Sequence, residues 1–106
     1  MNEAIFQLQA NICKAFSHPK RLQILCELKD GERSFSDLQE ATGCSKANLS
    51  QHLSVLKERR VIIPRRDGQH MFFSVANSKI TQACELMHEV LLDQVEGLAE
   101  ATAEDE

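Results

Sequence analysis

Apolar residues recur at Ile5, Leu8, Ile12 and Phe16, three or four apart, the spacing of one face of an α-helix. That period predicts an amphipathic helix over residues 3–16, ended by Ser17-His18-Pro19. Pro19 suits the first turn of a second helix, which carries Leu22, Leu25, Cys26 and Leu28 on its apolar face until Asp30-Gly31 breaks it. Ser34 followed by Asp37 is an acid variant of the capping box. It opens a third helix with Phe35, Leu38 and Ala41 inside and Gly43 as its stop. Ser45 caps a fourth, in which Leu49, Leu53 and Leu56 face inward while Lys46, Ser50, Gln51, Ser54 and Lys57 point elsewhere. Two helices joined by a tight glycine-containing turn give a helix-turn-helix pattern over residues 34–60.

After Arg59-Arg60 the pattern turns strand-like. Val61-Ile62-Ile63 and the segment from Gln69 to Val75 flank the turn pair Asp67-Gly68, which predicts a β-hairpin over residues 61–75. Ile80, Ala83, Cys84, Met87, Leu91, Val95 and Leu98 then make one helical stripe over 78–98, and residues 101–106 read as a disordered acidic tail. The expected class is mainly α with a small β-hairpin, in the order of four helices, hairpin and a fifth helix, as one domain over residues 1–100 of the 106. The stripes of the first and last helices exceed what a small tri-helical core can cover. Pairing of residues 3–16 and 78–98 with a second copy, a homodimer, would bury them.

The net charge of -4 argues against a nucleic-acid partner until its distribution is considered. Six of the 12 cationic residues (Lys46, Lys57, Arg59, Arg60, Arg65, Arg66) lie between Lys46 and Arg66 against one acid, Glu58. From Glu85 onward there are eight acids and no Lys or Arg. A basic middle with an acidic end puts the candidate phosphate-binding surface on the helix-turn-helix and hairpin. Ser45, Lys46, Ala47, Asn48, Ser50, Gln51 and His52 crowd the first turns of the fourth helix, where such helices meet base edges in the major groove. Asn48 and Gln51 can pair bidentately with adenine, Lys46 can reach guanine or phosphate, and Ala47 can pack on a thymine methyl. Arg65, Arg66 and Gln69 at the hairpin tip would meet the DNA backbone or the adjacent minor groove. Arg59 and Arg60 have a competing use, as cations at a helix C-terminus. Double-stranded DNA and a second copy are therefore the expected partners, with no membrane.

No apolar run approaches the roughly 18 residues of a membrane span, and no export signal is read, so the cytoplasm is the expected compartment. The four cysteines, Cys13, Cys26, Cys44 and Cys84, are then free thiols, sensors or metal ligands rather than a disulfide scaffold. No Cys-x-x-Cys, P-loop or dinucleotide glycine pattern occurs, so an enzyme is not expected. The alternative from another class is a protein-interaction module that keeps the fold without operator binding.

Three segments in order, Ala15-Phe16-Ser17-His18-Pro19-Lys20-Arg21-Leu22-Gln23-Ile24-Leu25-Cys26, Leu49-Ser50-Gln51-His52-Leu53-Ser54-Val55-Leu56-Lys57 and Arg65-Arg66-Asp67-Gly68-Gln69 with Phe72-Phe73-Ser74-Val75, resemble the ArsR/SmtB family of dimeric winged helix-turn-helix repressors. The likeness covers residues 10–95. It implies operator binding by a homodimer joined through its first and last helices, with release on metal or redox sensing. The family's metalloid pattern is replaced by Phe35-Ser36-Asp37, and its zinc pattern falls on Asn77, Lys79, Val90 and Asp93, so neither site is expected. Ile24-Leu25-Cys26 resembles the second-helix cysteine of the HlyU-like, persulfide-sensing branch, which makes Cys26 a candidate sensor. The usual partner position is Leu92 here, and Cys84 lies about 12 Å earlier along the helix, too far to replace it without different packing.

Cys84 nevertheless remains a second candidate sensor thiol. Cys84 and His88, at i and i+4, can take one metal together, and Cys13 could add a third ligand across a dimer, while the competing reading gives all three to apolar stripes and edges. No resident cofactor is expected, and a metal or metalloid ion is a candidate inducer only.

Overall fold

The computed structural model describes residues 2–104, with side chains placed for 2–99. Its elements are α1 (Glu3–Ala15), α2 (Pro19–Glu27), β1 (Arg33–Ser34), α3 (Phe35–Thr42), α4 (Lys46–Glu58), β2 (Ile62–Asp67), β3 (His70–Val75) and α5 (Ser78–Glu104). Caps set the helix starts. Asn2 accepts from the Ile5 amide at 3.1 Å, Ser34 from Asp37 at 3.0 Å and Ser45 from Asn48 at 3.1 Å, each satisfying a donor the first helical turn leaves unpaired.

The start of α2 joins three helices. His18 caps it, its Nδ1 accepting from the Lys20 amide at 3.1 Å. Lys20 donates from Nζ to the Thr42 carbonyl at the end of α3, at 2.7 Å, and Arg21 donates from Nε to the Ala15 carbonyl at the end of α1, at 2.8 Å. Two cations thus sit on two helix C-termini, where the partial negative charge favours them.

The core is small. Ile24, Leu25 and Leu28 of α2 meet Leu38 of α3 and Leu49, Leu53 and Leu56 of α4, and Val61, Ile62 and Phe73 close it from the sheet. Burying each such side chain stabilises the fold by about 1.5–3 kcal/mol. Three positions expected inside lie outside this core: Leu22 is 42% exposed, and Cys26 and Ala41 are exposed.

The hairpin is joined by a strand the periodicity did not predict. Arg33 and Ser34 pair antiparallel with Phe73 and Phe72, giving a sheet of order β1-β3-β2, and Ser34 ends β1 while capping α3. The turn is also displaced by one residue from expectation. Asp67 pairs with His70, so Gly68 and Gln69 are the central pair, and Gly68 takes φ 63°, as a first central position in a mirror-image hairpin turn requires.

Helix α4 ends without a glycine. Arg60 adopts φ 60°, its amide donates to the Lys57 carbonyl at 2.9 Å, and the Val61 amide reaches back to Leu56 at 2.9 Å. This is a left-handed helix cap. A cation expected to serve the helix end by charge serves it by backbone shape.

The outer helices are bare on one side. Ile5, Phe6, Leu8 and Ile12 of α1 stay between 44% and 63% exposed, and only Ala15 of that helix is buried. In α5, Ile80 and Cys84 pack on the core, whereas Met87, Leu91, Val95 and Leu98 do not. Helix α5 continues through Glu104, so the tail expected to be disordered from residue 101 is helical over its first part, and residues 105 and 106 lie outside the described residues. Among the described residues, no helix is long and apolar enough to cross a membrane.

Candidate DNA interface and sensor cavity

The turn between α3 and α4 is fixed by its own polar groups. Thr42, buried, donates from Oγ1 to the Leu38 carbonyl at 2.7 Å, and Gly43 takes φ 70° to end α3. A residue with a Cβ would be strained there. Cys44, in this turn, is half-buried against the core.

With α4 held in this way, Ser45, Lys46, Ala47, Asn48, Ser50 and Gln51 all lie exposed along its first turns. The Ser45 hydroxyl is engaged in the cap, leaving Lys46, Asn48, Ser50 and Gln51 as side chains able to reach a ligand. His52 departs from this group. Its ring centroid lies 4.4 Å from that of His18 with the planes at 51°, and its Nδ1 is buried without a hydrogen-bond partner. Burial pushes the His52 imidazole pKa below its usual value, and coupling to His18 and the positive charge of Arg21 act in the same direction. His52 is therefore a contact between helices rather than part of the free polar face.

The wing also divides. Arg66, Gly68 and Gln69 are exposed at its tip. Arg65 is turned aside: its Nη2 and Nε donate to the two oxygens of Glu32 at 2.7 and 2.9 Å, and its guanidinium carbon sits 4.7 Å over the Phe72 ring. The hydrogen bond from Arg65 holds the Glu32 carboxyl below its ordinary value. The sequence pattern pointed to no contact for Glu32 and to no role for His18 beyond a helix end. Glu32 is 33 residues from its partner and leaves no local signal. His52 did leave one, since Leu49, His52, Leu53 and Leu56 follow the i, i+3, i+4, i+7 spacing of an inward stripe.

Cys26 and Cys84 share a cavity of about 580 Å³ between α2 and α5, with Leu22, Leu25, Met87 and Leu91 as its apolar wall and His88 also lining it. Sequence spacing set Cys84 too far from the usual partner position of Cys26, but that position, Leu92, is not in the cavity wall and Cys84 is. Desolvation pushes the Cys84 thiol up, with the nearby Cys26 and Glu85 acting in the same direction. Cys26 is exposed. Cys13 lies exposed on α1, and among the described residues of one chain no group of three or more His, Cys, Asp or Glu is placed to hold a metal ion.

A recognition helix with a free polar face, set beside a hairpin whose tip carries Arg66 and Gln69, defines a winged helix-turn-helix DNA-binding regulator. The chain belongs to the arsR family of bacterial regulatory proteins, whose family model matches residues 18–63. It is 33% identical to a biofilm growth-associated repressor of Xylella fastidiosa over 85 residues, covering 80% of this chain and 75% of the other. Its fold is similar to that of HlyU from Vibrio cholerae, with TM-score 0.77 and 30% identity over 84% of this chain and 97% of that one. It is also similar to a homodimeric winged helix-turn-helix DNA-binding domain from Mycobacterium bovis, with TM-score 0.82 and 27% identity over 92% and 93% of the two chains. The chain is a transcriptional regulator and not an enzyme.

Proposed function

We propose that the chain is a cytoplasmic, homodimeric transcriptional repressor that reads a palindromic operator and is released by thiol chemistry at the cavity between α2 and α5. The observation that carries the reading is the exposed polar face of α4, with Lys46, Asn48, Ser50 and Gln51 beside a wing tip bearing Arg66 and Gln69. Base readout falls to Asn48 and Gln51, and phosphate anchoring to Lys46 and Arg66. Dimerisation is supported by the uncovered stripes of α1 and α5, and by the homodimeric relative from Mycobacterium bovis. A twofold dimer presents its recognition helices about 34 Å apart, one turn of DNA. The sign of regulation rests on the Xylella fastidiosa repressor, while the relative HlyU is named a transcriptional activator.

For sensing, the two thiols of the cavity are the acting groups. Cys26, exposed, reacts first, because the Cys84 thiol is half-buried and held protonated. An adduct on either spreads α2 from α5 and alters the spacing of the recognition helices. The test is fluorescence anisotropy on duplexes from the chain's own gene neighbourhood and on random duplex. Reduced protein should prefer its operator and lose affinity steeply with salt. Polysulfide or arsenite should weaken binding, and Cys26→Ser should abolish that response. Equal binding to both duplexes would favour an interaction module, and full response in a Cys26→Ser, Cys84→Ser double variant would reject the thiols as sensors.

A further inference from the structure

His18 and His52 tie the recognition helix to the start of α2, and a different hydrogen-bond requirement acts on each ring. His18 caps α2 through Nδ1, which accepts from the Lys20 amide at 3.1 Å and therefore carries no proton. A proton on that nitrogen would set one donor against another. His52 has a buried Nδ1 with no hydrogen-bond partner, so a proton placed on that nitrogen would be a buried unpaired donor. The rings lie 4.4 Å apart, so a charge on either is felt by the other.

The surroundings disfavour charge as well. The neighbouring groups acting on His52 are the His18 ring, at the N-cap of α2, and Arg21 of α2, and a positive charge on either disfavours a proton on His52. Arg21 is fixed there by its bonds to the Ala15 and Lys14 carbonyls at 2.8 and 3.2 Å. Among the described residues, α3 and β2, the other elements against α4, supply no carboxylate that acts on the ring.

We propose that the His18–His52 contact is a proton-gated clasp positioning the recognition helix, closed while both imidazoles are neutral and opened by acidification, so that operator affinity falls with pH. His52 acts here as a positioning residue, through α4, and the reading rests on α4 being the DNA-reading element. The sign follows from the depressed folded-state value. The neutral ring contributes its stabilisation fully above the ordinary imidazole value of about 6.5, and that contribution is lost as pH falls below it. Positive charge added to a DNA-facing surface raises affinity and would move it the opposite way. The two effects are distinguishable by direction alone.

The experiment measures operator affinity by anisotropy between about pH 7.5 and about pH 5.5 for the wild type, His18→Asn and His52→Phe. Asparagine keeps a cap acceptor for α2, and phenylalanine keeps a ring against residue 18 with nothing to protonate. The wild type should lose affinity on the order of tenfold for each unit by which the closed and open clasp differ in imidazole pKa. Both variants should flatten that dependence. An NMR titration of the imidazole Cε1 protons should place His52 below the ordinary value, and His18→Asn should return it upward. Wild-type affinity that is constant or rises on acidification, a dependence that persists in His52→Phe, or an ordinary titration of His52 would overturn the clasp. Absence of operator preference at every pH, with His52 still titrating low and responding to His18→Asn, would instead overturn the assignment of α4 as the DNA reader and leave the clasp standing.

Discussion

Arg65 and Glu32 form a two-pronged ion pair at 2.7 and 2.9 Å that ties the wing to the residue just before β1. The pair takes from the wing one of the guanidiniums a DNA backbone would otherwise meet. Replacing Glu32 by Gln frees Arg65, so DNA affinity should rise and the dependence of log affinity on log salt should steepen by about one phosphate's worth, 0.9. Melting temperature should scarcely change, because the pair is solvent-exposed. An unchanged salt slope would show that Arg65 has no access to phosphate.

Gln51 and Arg66 should separate when each is replaced by Ala. Loss of the Gln51 amide should cost about 1–3 kcal/mol at one operator base pair and leave random duplex alone. Loss of Arg66 should weaken all sequences alike and flatten the salt slope. Titrations against an operator and its single-base variants measure both, and matching profiles would refute the division between readout and anchoring.

Arg60 holds a left-handed conformation at φ 60° with no glycine's freedom to do so. Arg60→Gly should relieve about 1–2 kcal/mol of backbone strain and incur about 0.5–1 kcal/mol of extra chain entropy. Urea denaturation should show a net gain of roughly 0.5–1 kcal/mol with an unchanged slope. A loss would mean the Arg60 side chain has packing value beyond the cap.

Sedimentation at about micromolar concentration should give twice the 12.0 kDa chain mass. Leu8→Glu or Val95→Glu, each placing a charge on an uncovered stripe, should shift the protein to monomer and lower its melting temperature. A wild-type monomer, or dimers untouched by both changes, would place the interface elsewhere.

What the sequence made legible was local. Pro19, Ser34, Gly43 and Ser45 fix helix ends within a few residues of themselves, and all four act where they were read. The miss at β1 is equally physical, because two residues hold no period; its pairing partners, Phe72 and Phe73, lie far along the chain. Asp67-Gly68 marked the hairpin but not its register, which the pairing of Asp67 with His70 decides. Arg65 was read as a DNA contact from charge alone, and only the fold brings Glu32 beside it. Helical distance likewise separated Cys84 from the expected thiol partner, whereas the crossing of α2 and α5 brings it to the cavity Cys26 lines.

The sheet order β1-β3-β2 leaves two edges, and neither invites another strand. One edge is two residues long, and the other carries Pro64, which has no amide hydrogen to offer, followed by two guanidiniums. Edge-to-edge growth into fibrils is thereby discouraged at the one part of the chain rich enough in β-branched and aromatic residues to support it. Among the described residues, most of the exposed apolar surface lies on α1 and α5, which a closed pair can cover, so self-association has a built-in stopping point.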